Sequence, residues 1–258
     1  MCESCGCAGV SHESHVHGES SRHSVAVFSD ILRRNNDQAA HNREHFTEHG
    51  VLALNLMSSP GSGKTSLLEA TIDALGDVFR IGVIEGDLAT ENDARRIRAK
   101  GVPAVQITTG QACHLDAEMV HEALHHLELE SLDLLFIENV GNLVCPASFD
   151  LGQHANVALL SVTEGDDKPA KYPVLFRAAD LILLSKSDLL EVLDDFNPAL
   201  AEQHVRALAN PAKILQVSAR RPETLTPWLQ WLRTMWDTRY GDARKAAGTT
   251  AAVSAAAE

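Results

Sequence analysis

One octapeptide limits what this chain can fold into: Ser58-Ser59-Pro60-Gly61-Ser62-Gly63-Lys64-Thr65. It follows an apolar run at 51–57 (VLALNLM) and opens a helical pattern at 64–76. In that pattern Leu68, Ile72 and Leu75 recur at helical spacing, and Gly76 stands where a helix stops. Strand, small-residue loop and helix in this order make an anion cradle. Small residues let successive backbone N–H groups point inward at phosphate oxygens. The helix N-terminus behind them adds partial positive charge. Ser59, Gly61, Ser62, Gly63 and Ser66 are the expected frame. Lys64 is placed to reach the β- and γ-phosphates, and the Thr65 hydroxyl to ligate Mg²⁺. Ser58 stands where this pattern usually has Gly, a small-for-small change with a modest expected cost.

Six further apolar runs, at 80–85, 102–107, 132–138, 156–162, 181–185 and 213–218, read as strands. They are continuous rather than alternating, as parallel strands covered on both faces are. Helical patterns lie between them at 91–100, 114–129, 171–179, 199–209 and 224–239. Strand–helix alternation with right-handed crossovers predicts an α/β fold, a doubly wound and mostly parallel sheet. Residues 51–240 form this domain, led in by a helix over 25–50. Residues 1–24 hold three Cys, four His and six Ser but no Leu, Ile, Phe or Trp, so they cannot bury a core and are expected to be disordered. Residues 241–258 contain eight Ala and read as a weak helix or flexible tail.

Strand-end residues specify the nucleotide. After 181–185 come Lys186, Ser187 and Asp188. A carboxylate there accepts two hydrogen bonds from the N1–H and N2–H₂ edge of guanine, a donor pair that adenine lacks. The common form of this motif has Asn at Ser185, so the brace that Asn makes to the phosphate loop is not expected here. Ser218 and Ala219 follow the last strand, where a base would lie. Asp87, ending the 80–85 run, is placed for Mg²⁺ or its waters, and Glu138 holds the strand-end acid position. Gly141 can give its N–H to a γ-phosphate. Lys64, Asp87 and Glu138 are therefore the expected catalytic groups, with GTP or GDP and Mg²⁺ as ligands.

Two sets of soft donors stand out. Cys2, Cys5 and Cys7 place three thiolates in one turn, suited with the α-amino group to Ni²⁺ or Zn²⁺. His12, His15, His17 and His23 lie beside them. The second set is Cys113, His114 and Cys145, which a doubly wound sheet brings to the same edge as the nucleotide. Three ligands leave a metal site open, or let two chains share metal across a dimer axis. Five cysteines, an odd number with three in seven residues, do not make a disulfide scaffold and suggest a reducing cytoplasm. His121-Glu122-Ala123-Leu124-His125 matches the zinc-protease pentamer, but His121 and Glu122 fall off the apolar stripe of Leu115, Met119, Ala123 and Leu127, toward solvent.

A formal net charge of −13, from 22 Lys plus Arg against 35 Asp plus Glu, disfavours nucleic acid and anionic membranes as general partners. No apolar run approaches the ~18 residues of a membrane span. The N-terminus has no apolar segment of the signal-peptide kind.

The motifs MCESCGC, NLMSSPGSGKTSLL, VIEGDLATENDA, TGQACHLDA, IENVGNLVCPASFDLG and LSVTEGDDKPAKYP resemble those of the hydrogenase nickel-incorporation GTPases, the HypB accessory family. The resemblance covers residues 51 to about 236 and the first seven residues. It implies a G domain of the SIMIBI group, a slow regulatory GTPase active as a homodimer. It implies nickel delivery to the precursor large subunit of [NiFe]-hydrogenase, with a HypA-type nickel chaperone as partner. On this resemblance Cys2, Cys5 and Cys7 match a high-affinity nickel tail, and Cys113, His114 and Cys145 match a nickel or zinc site. Lys64, Thr65, Asp87 and Asp188 match nucleotide residues. An accessory GTPase for another metalloenzyme, such as urease or a cobalamin enzyme, has the same fold with a different client. A nucleotide kinase would need a lid of several arginines; Arg95, Arg96 and Arg98 cluster, but on a helix with a solvent-facing pattern. A storage or sensor protein would rely on the metal tail alone.

Overall fold

The computed structural model describes residues 18–88, 91–110 and 112–255, with side chains within 29–241. Cys2, Cys5, Cys7, His12, His15 and His17, with the disorder expected of them, lie outside the described residues, as does the side chain of His23. The chain forms two compact units, 1–34 and 35–258. The described part of the first is the beginning of helix α1, Gly18–Glu48. Helix therefore starts inside the segment expected to be a tail.

The second unit is built on seven strands: β1 Leu52–Met57, β2 Ile81–Asp87, β3 Ala104–Thr108, β4 Leu134–Glu138, β5 Ala155–Ser161, β6 Leu181–Ser185 and β7 Lys213–Gln216. All pairings are parallel, in the order β3-β2-β4-β1-β5-β6-β7. Every expected strand is present within a few residues. The continuous apolar runs have the expected cause. In β1, Leu52, Leu54 and Leu56 pack with Trp228 and Leu232 on one face, and Ala53 packs with Phe46 and Val120 on the other. The edge strands β3 and β7 are the ones open to solvent along their length.

Seven more helices cover the sheet: α2 Lys64–Leu75, α3 Asn92–Arg98, α4 Ala117–Leu124, α5 Lys168–Lys171, α6 Pro173–Ala178, α7 Pro198–Ala207 and α8 Thr226–Ala255. Three differ from the sequence expectation. The pattern at 114–129 gives only α4, because Asp116 caps it by accepting from the Met119 N–H, so the helix cannot start earlier. The pattern at 171–179 is split into α5 and α6 at Tyr172, just before Pro173. The last helix passes its expected end at 239 and runs on to Ala255, which is the helical one of the two readings of the Ala-rich segment. Gly76 does end α2, as expected, and does so in a right-handed conformation. A side chain there would meet the Ile72 carbonyl oxygen at 2.9 Å. Among the described residues, no helix is long and apolar enough to cross a membrane.

Because the sheet is parallel, the carboxyl ends of all its strands open on one edge. Chain order reverses about β1, which lies between β4 and β5, and a doubly wound sheet binds its ligands at such a switch point. The phosphate loop leaves the sheet there. Behind it, α2 is anchored by Trp228 of α8, fully buried, whose indole N–H donates to Thr71 Oγ1 at 2.9 Å. Trp228→Ala should lower unfolding free energy by ~3–5 kcal/mol through the cavity it leaves. A denaturant midpoint unchanged from that of the parent would refute this.

Candidate functional site

The loop between β1 and α2 turns on two glycines, Gly61 at φ +74° and Gly63 at φ +94°, conformations that other residues rarely adopt. Gly63 sits at the N-cap of α2 with no side-chain hydrogen bond to the first turn, which leaves those backbone N–H groups for a ligand. Lys64 is buried, and its Nζ donates to Ser58 Oγ at 3.0 Å. The Ser that replaces the usual Gly thus has a use of its own. Thr65 Oγ1 donates to Glu138 Oε1 at 3.0 Å, and Lys64 Nζ lies 3.9 Å from the same oxygen.

The loop is braced from the other half of the sheet. The Ser185 hydroxyl donates to the Ser62 carbonyl at 2.7 Å, and Lys186 Nζ donates to the Gly61 carbonyl at 2.8 Å. The brace not expected of Ser185 is therefore present. A shorter side chain supplies it because its hydroxyl reaches the loop directly. Ser62 in turn donates to Glu164 Oε1 at 2.7 Å, from the turn after β5. Glu164 was not among the expected residues, since an acid in a polar turn carries no signal until the fold brings it to the loop.

Two adjoining clefts of about 600 and 450 Å³ open along this edge. The larger is lined by Lys186, Asp188, Ser218 and Ala219, all expected at the base. There the Ser218 hydroxyl donates to Asp188 Oδ1 at 2.6 Å and aligns the carboxylate. The smaller cleft collects Lys64, Thr65, Asp87, Glu138 and Gly141, all expected at the phosphates. Gly141 touches the loop so closely that an added Cβ would lie 2.9 Å from Pro60 Cα and N. Ser66 lines both clefts and Ser59 stands 3.0 Å, Oγ to Oγ, from Ser62.

The smaller cleft also contains Glu85, which sequence reasoning passed over for Asp87. Glu85 pairs in register with Glu138 across β2 and β4, and both are buried. Burial, then the neighbouring Glu138, push Glu85 up to about 11. Burial also raises Glu138, while Lys64 opposes that rise. Two acids this close hold a proton between them at neutral pH. An acid within an apolar strand was the available signal, but its partner depends on strand order.

The soft donors converge as well. Cys113 Sγ lies 2.9 Å from Cys145 Sγ and 3.8 Å from His114 Nδ1, and the three ligand atoms fall within 4.8 Å of one another. His114 stacks on Phe149 at 3.9 Å between centroids. Burial lowers the pKa of this imidazole, which favours the neutral form that a ligand must have. The hydrogen bond with Cys113, then burial, raise the Cys145 thiol. Asn139 and Asn142 flank Gly141 and tie this cluster to the cleft. Asn139 Oδ1 accepts from Leu115 N at 3.2 Å, and Asn142 Nδ2 donates to the Cys113 carbonyl at 3.2 Å.

The nucleotide-binding domain model described as CobW/HypB/UreG matches residues 52–216. A hydrogenase maturation factor HypB of Azotobacter vinelandii is 52% identical over 226 residues, 88% of this chain and 74% of that protein. The chain belongs to the HypB family. A crystal structure of Helicobacter pylori HypB in complex with nickel superposes with a TM-score of 0.77 at 45% identity, covering 80% of this chain and 97% of that one. The curated Helicobacter pylori protein, named a hydrogenase/urease maturation factor, is 45% identical over 216 residues, 82% of this chain and 88% of that protein. HypB membership and the SIMIBI-type parallel sheet agree with the sequence expectation. Two of the arginines of the kinase alternative are engaged at α3: Arg96 binds Glu69 at 2.6 Å and Asp93 at 2.9 Å, and Arg98 Nε donates to the Ala104 carbonyl.

Two tests follow. Gly141→Ala should displace the loop at Pro60 and weaken GDP binding by about tenfold, ~1.4 kcal/mol; fluorescence titration with a labelled nucleotide measures it, and unchanged affinity would contradict the packing. Glu85 binds its proton more tightly folded than unfolded, so stability falls as pH rises from about 4.5 toward 11. Without nucleotide or divalent ions, Glu85→Gln should flatten that decline, by up to ~1.4 kcal/mol per pH unit. Parallel unfolding curves for parent and variant between pH 5 and 9 would refute it.

Proposed function

We propose that this chain is a GTP-hydrolysing metallochaperone that binds nickel and delivers it to the precursor large subunit of a [NiFe]-hydrogenase. The observation that carries the reading is the loop at 139–142. It borders the phosphate cleft through Gly141 and holds the thiol cluster through Asn139 and Asn142. A change at the γ-phosphate thus has a short covalent and hydrogen-bonded route to Cys113 and Cys145. The names of the Azotobacter vinelandii and Helicobacter pylori relatives, and the nickel complex of the latter, support the client and the cargo.

In this reading Asp188 selects guanine, and the first turn of α2 with Lys64 holds the phosphates. Mg²⁺ fits the cleft because two buried acids, Glu138 and Glu85, stand in it beside the Thr65 hydroxyl. When bound, the ion offsets phosphate charge. Thr65 and Asp87 would hold it, directly or through water. Lys64, Asp87 and Glu138 then serve hydrolysis, which is slow and acts as a timer. Nickel is cargo. Cys113, His114 and Cys145 offer two thiolates and an imidazole, a set that suits Ni²⁺ and Zn²⁺ alike. Cys2, Cys5 and Cys7 would form the tighter nickel site. A homodimer would complete the three-ligand site, a HypA-type chaperone would hand nickel on, and the setting is the cytoplasm. Residues 51–240 are the GTPase domain, and 1–24 the metal-binding tail.

Lys64→Ala should abolish GTP binding, and Asp188→Asn should shift preference to xanthosine nucleotides; calorimetry reads both. The coupling is tested in the full chain carrying Cys2, Cys5 and Cys7→Ser. Its nickel affinity, followed by thiolate charge-transfer absorbance, should differ between GDP and a non-hydrolysable GTP analogue. Equal affinity in the two states would overturn coupled delivery. A retained response after Cys145→Ser would overturn the assigned ligands. Restored hydrogenase but not urease activity in maturation-deficient cells would separate the two clients.

A further inference from the structure

Outside the two clefts of the phosphate edge, the helix α1 meets α4, and histidines recur at i, i+4 spacing along each. On α1 these are His41 and His45, with His49 just past its end; on α4 it is His121, with His125 at the C-cap. The rings meet across the helices. Centroid separations are 4.5 Å for His41–His45, 5.2 Å for His41–His121 and 5.9 Å for His45–His121. His45 Nε2 lies 3.1 Å from His41 Nε2. Two nitrogens bound to one metal ion at ~2.0–2.1 Å stand about 2.9–3.4 Å apart, for square-planar or tetrahedral angles. The ligand atoms of His41, His45 and His121 all fall within 4.8 Å of one another.

The third imidazole has its tautomer set by a buried neighbour. Asn42 is fully buried, and its Nδ2 donates to the carbonyls of Ala117 at 2.8 Å and Leu151 at 3.1 Å. Those two bonds orient the amide, so Oδ1 is the atom that faces His121 Nδ1, 3.1 Å away. An acceptor there requires His121 to carry its proton on Nδ1, which leaves the Nε2 lone pair free. A buried amide that fixes the outer nitrogen of an imidazole is the usual support behind a metal-bound histidine.

We propose that His41, His45 and His121 form an imidazole-only site for a borderline divalent cation of the Ni²⁺ or Zn²⁺ class, separate from the thiol cluster. The neighbouring histidines flank it without being needed. His49 is committed to the end of α1, its Nδ1 2.9 Å from the His45 carbonyl. His125 stacks edge-on against His121 at 5.0 Å. This corrects the expectation that His121 points to solvent: its ring is half-buried against α1. It also explains the protease-like pentamer without a protease. Glu122 is exposed and lines a cleft beside β3 with Gln106 and Thr108, so it does not share the imidazole face. Nitrogen ligands alone bind these ions less tightly than thiolates do, so the site would fill after them. α4 begins three residues after His114 and carries His121, so the site and the thiol cluster lie along one short segment.

The test uses the full chain with its cysteines blocked by iodoacetamide, so that thiolates do not compete, and Ni²⁺ as the probe. Equilibrium dialysis compares the parent with His41→Ala, an exposed position that does not threaten folding, and with His45→Gln combined with His121→Gln. Each variant is expected to lose one bound ion, or to weaken that ion at least tenfold, with GTP hydrolysis measured on unblocked protein unchanged. Zn²⁺ should move the Nε2 ¹⁵N resonances of His41, His45 and His121 while His121 keeps its Nδ1 proton. Equal uptake by parent and variants would overturn the site. So would uptake lost only on replacing His12, His15, His17 and His23, or a Zn²⁺ shift at His121 Nδ1.

Discussion

The clefts depend on a phosphate loop that cannot relax on its own, since two of its residues are in left-handed conformations and its first turn of helix is uncapped. It is held from outside. Ser185 and Lys186 grip its carbonyls from β6, Ser62 reaches Glu164 after β5, Thr65 reaches Glu138 at the end of β4, and Gly141 closes against Pro60. These contacts come from the ends of three strands, β4, β5 and β6, and a parallel sheet is the arrangement that puts those ends together. Orphan N–H groups aimed at one point disfavour the empty loop and favour an anion there. The braces keep them aimed before any ligand arrives, which reduces the ordering cost of binding.

Two neighbouring charge arrangements share Glu138. It accepts from Thr65, lies near Lys64, and stands beside the protonated Glu85. A cation or phosphate entering the cleft would therefore face a buried acid pair, not merely a surface side chain. One residue further, Asn139 has both amide ends engaged: Oδ1 accepts from Leu115 and Val140, and Nδ2 donates to Asn55 Oδ1. The chain thus passes from a titrating acid pair to the Cys113 loop within a few buried residues. Packing reinforces this, since an added Cβ at Gly86 would meet Leu115 at 2.8 Å.

Much of this was legible in the chain. The seven apolar runs became the seven strands because a strand buried on both faces leaves no alternative composition. The octapeptide, the acid after β6 and the small pair after β7 fell at one edge because parallel strands share their carboxyl ends. What failed did so locally. Helix limits moved where a cap at Asp116 or a proline at 173 overrode periodicity. Ser185 was judged by its departure from Asn, although reach, not residue type, decides whether a hydroxyl meets a carbonyl. His121 was assigned to solvent from the stripe of its own helix, which says nothing of a second helix packed alongside.

Sequence alone determined the fold class, the phosphate-binding turn and the residue types at every strand end, because local sterics and burial pattern act over a few residues. Pairing was decided only by tertiary structure. Glu85 against Glu138, Cys113 against Cys145, Ser62 against Ser185 and His121 against His41 are separated by 53, 32, 123 and 80 positions. Their contact follows from strand order and helix packing, which are set by the whole core and are written in no short segment of the chain.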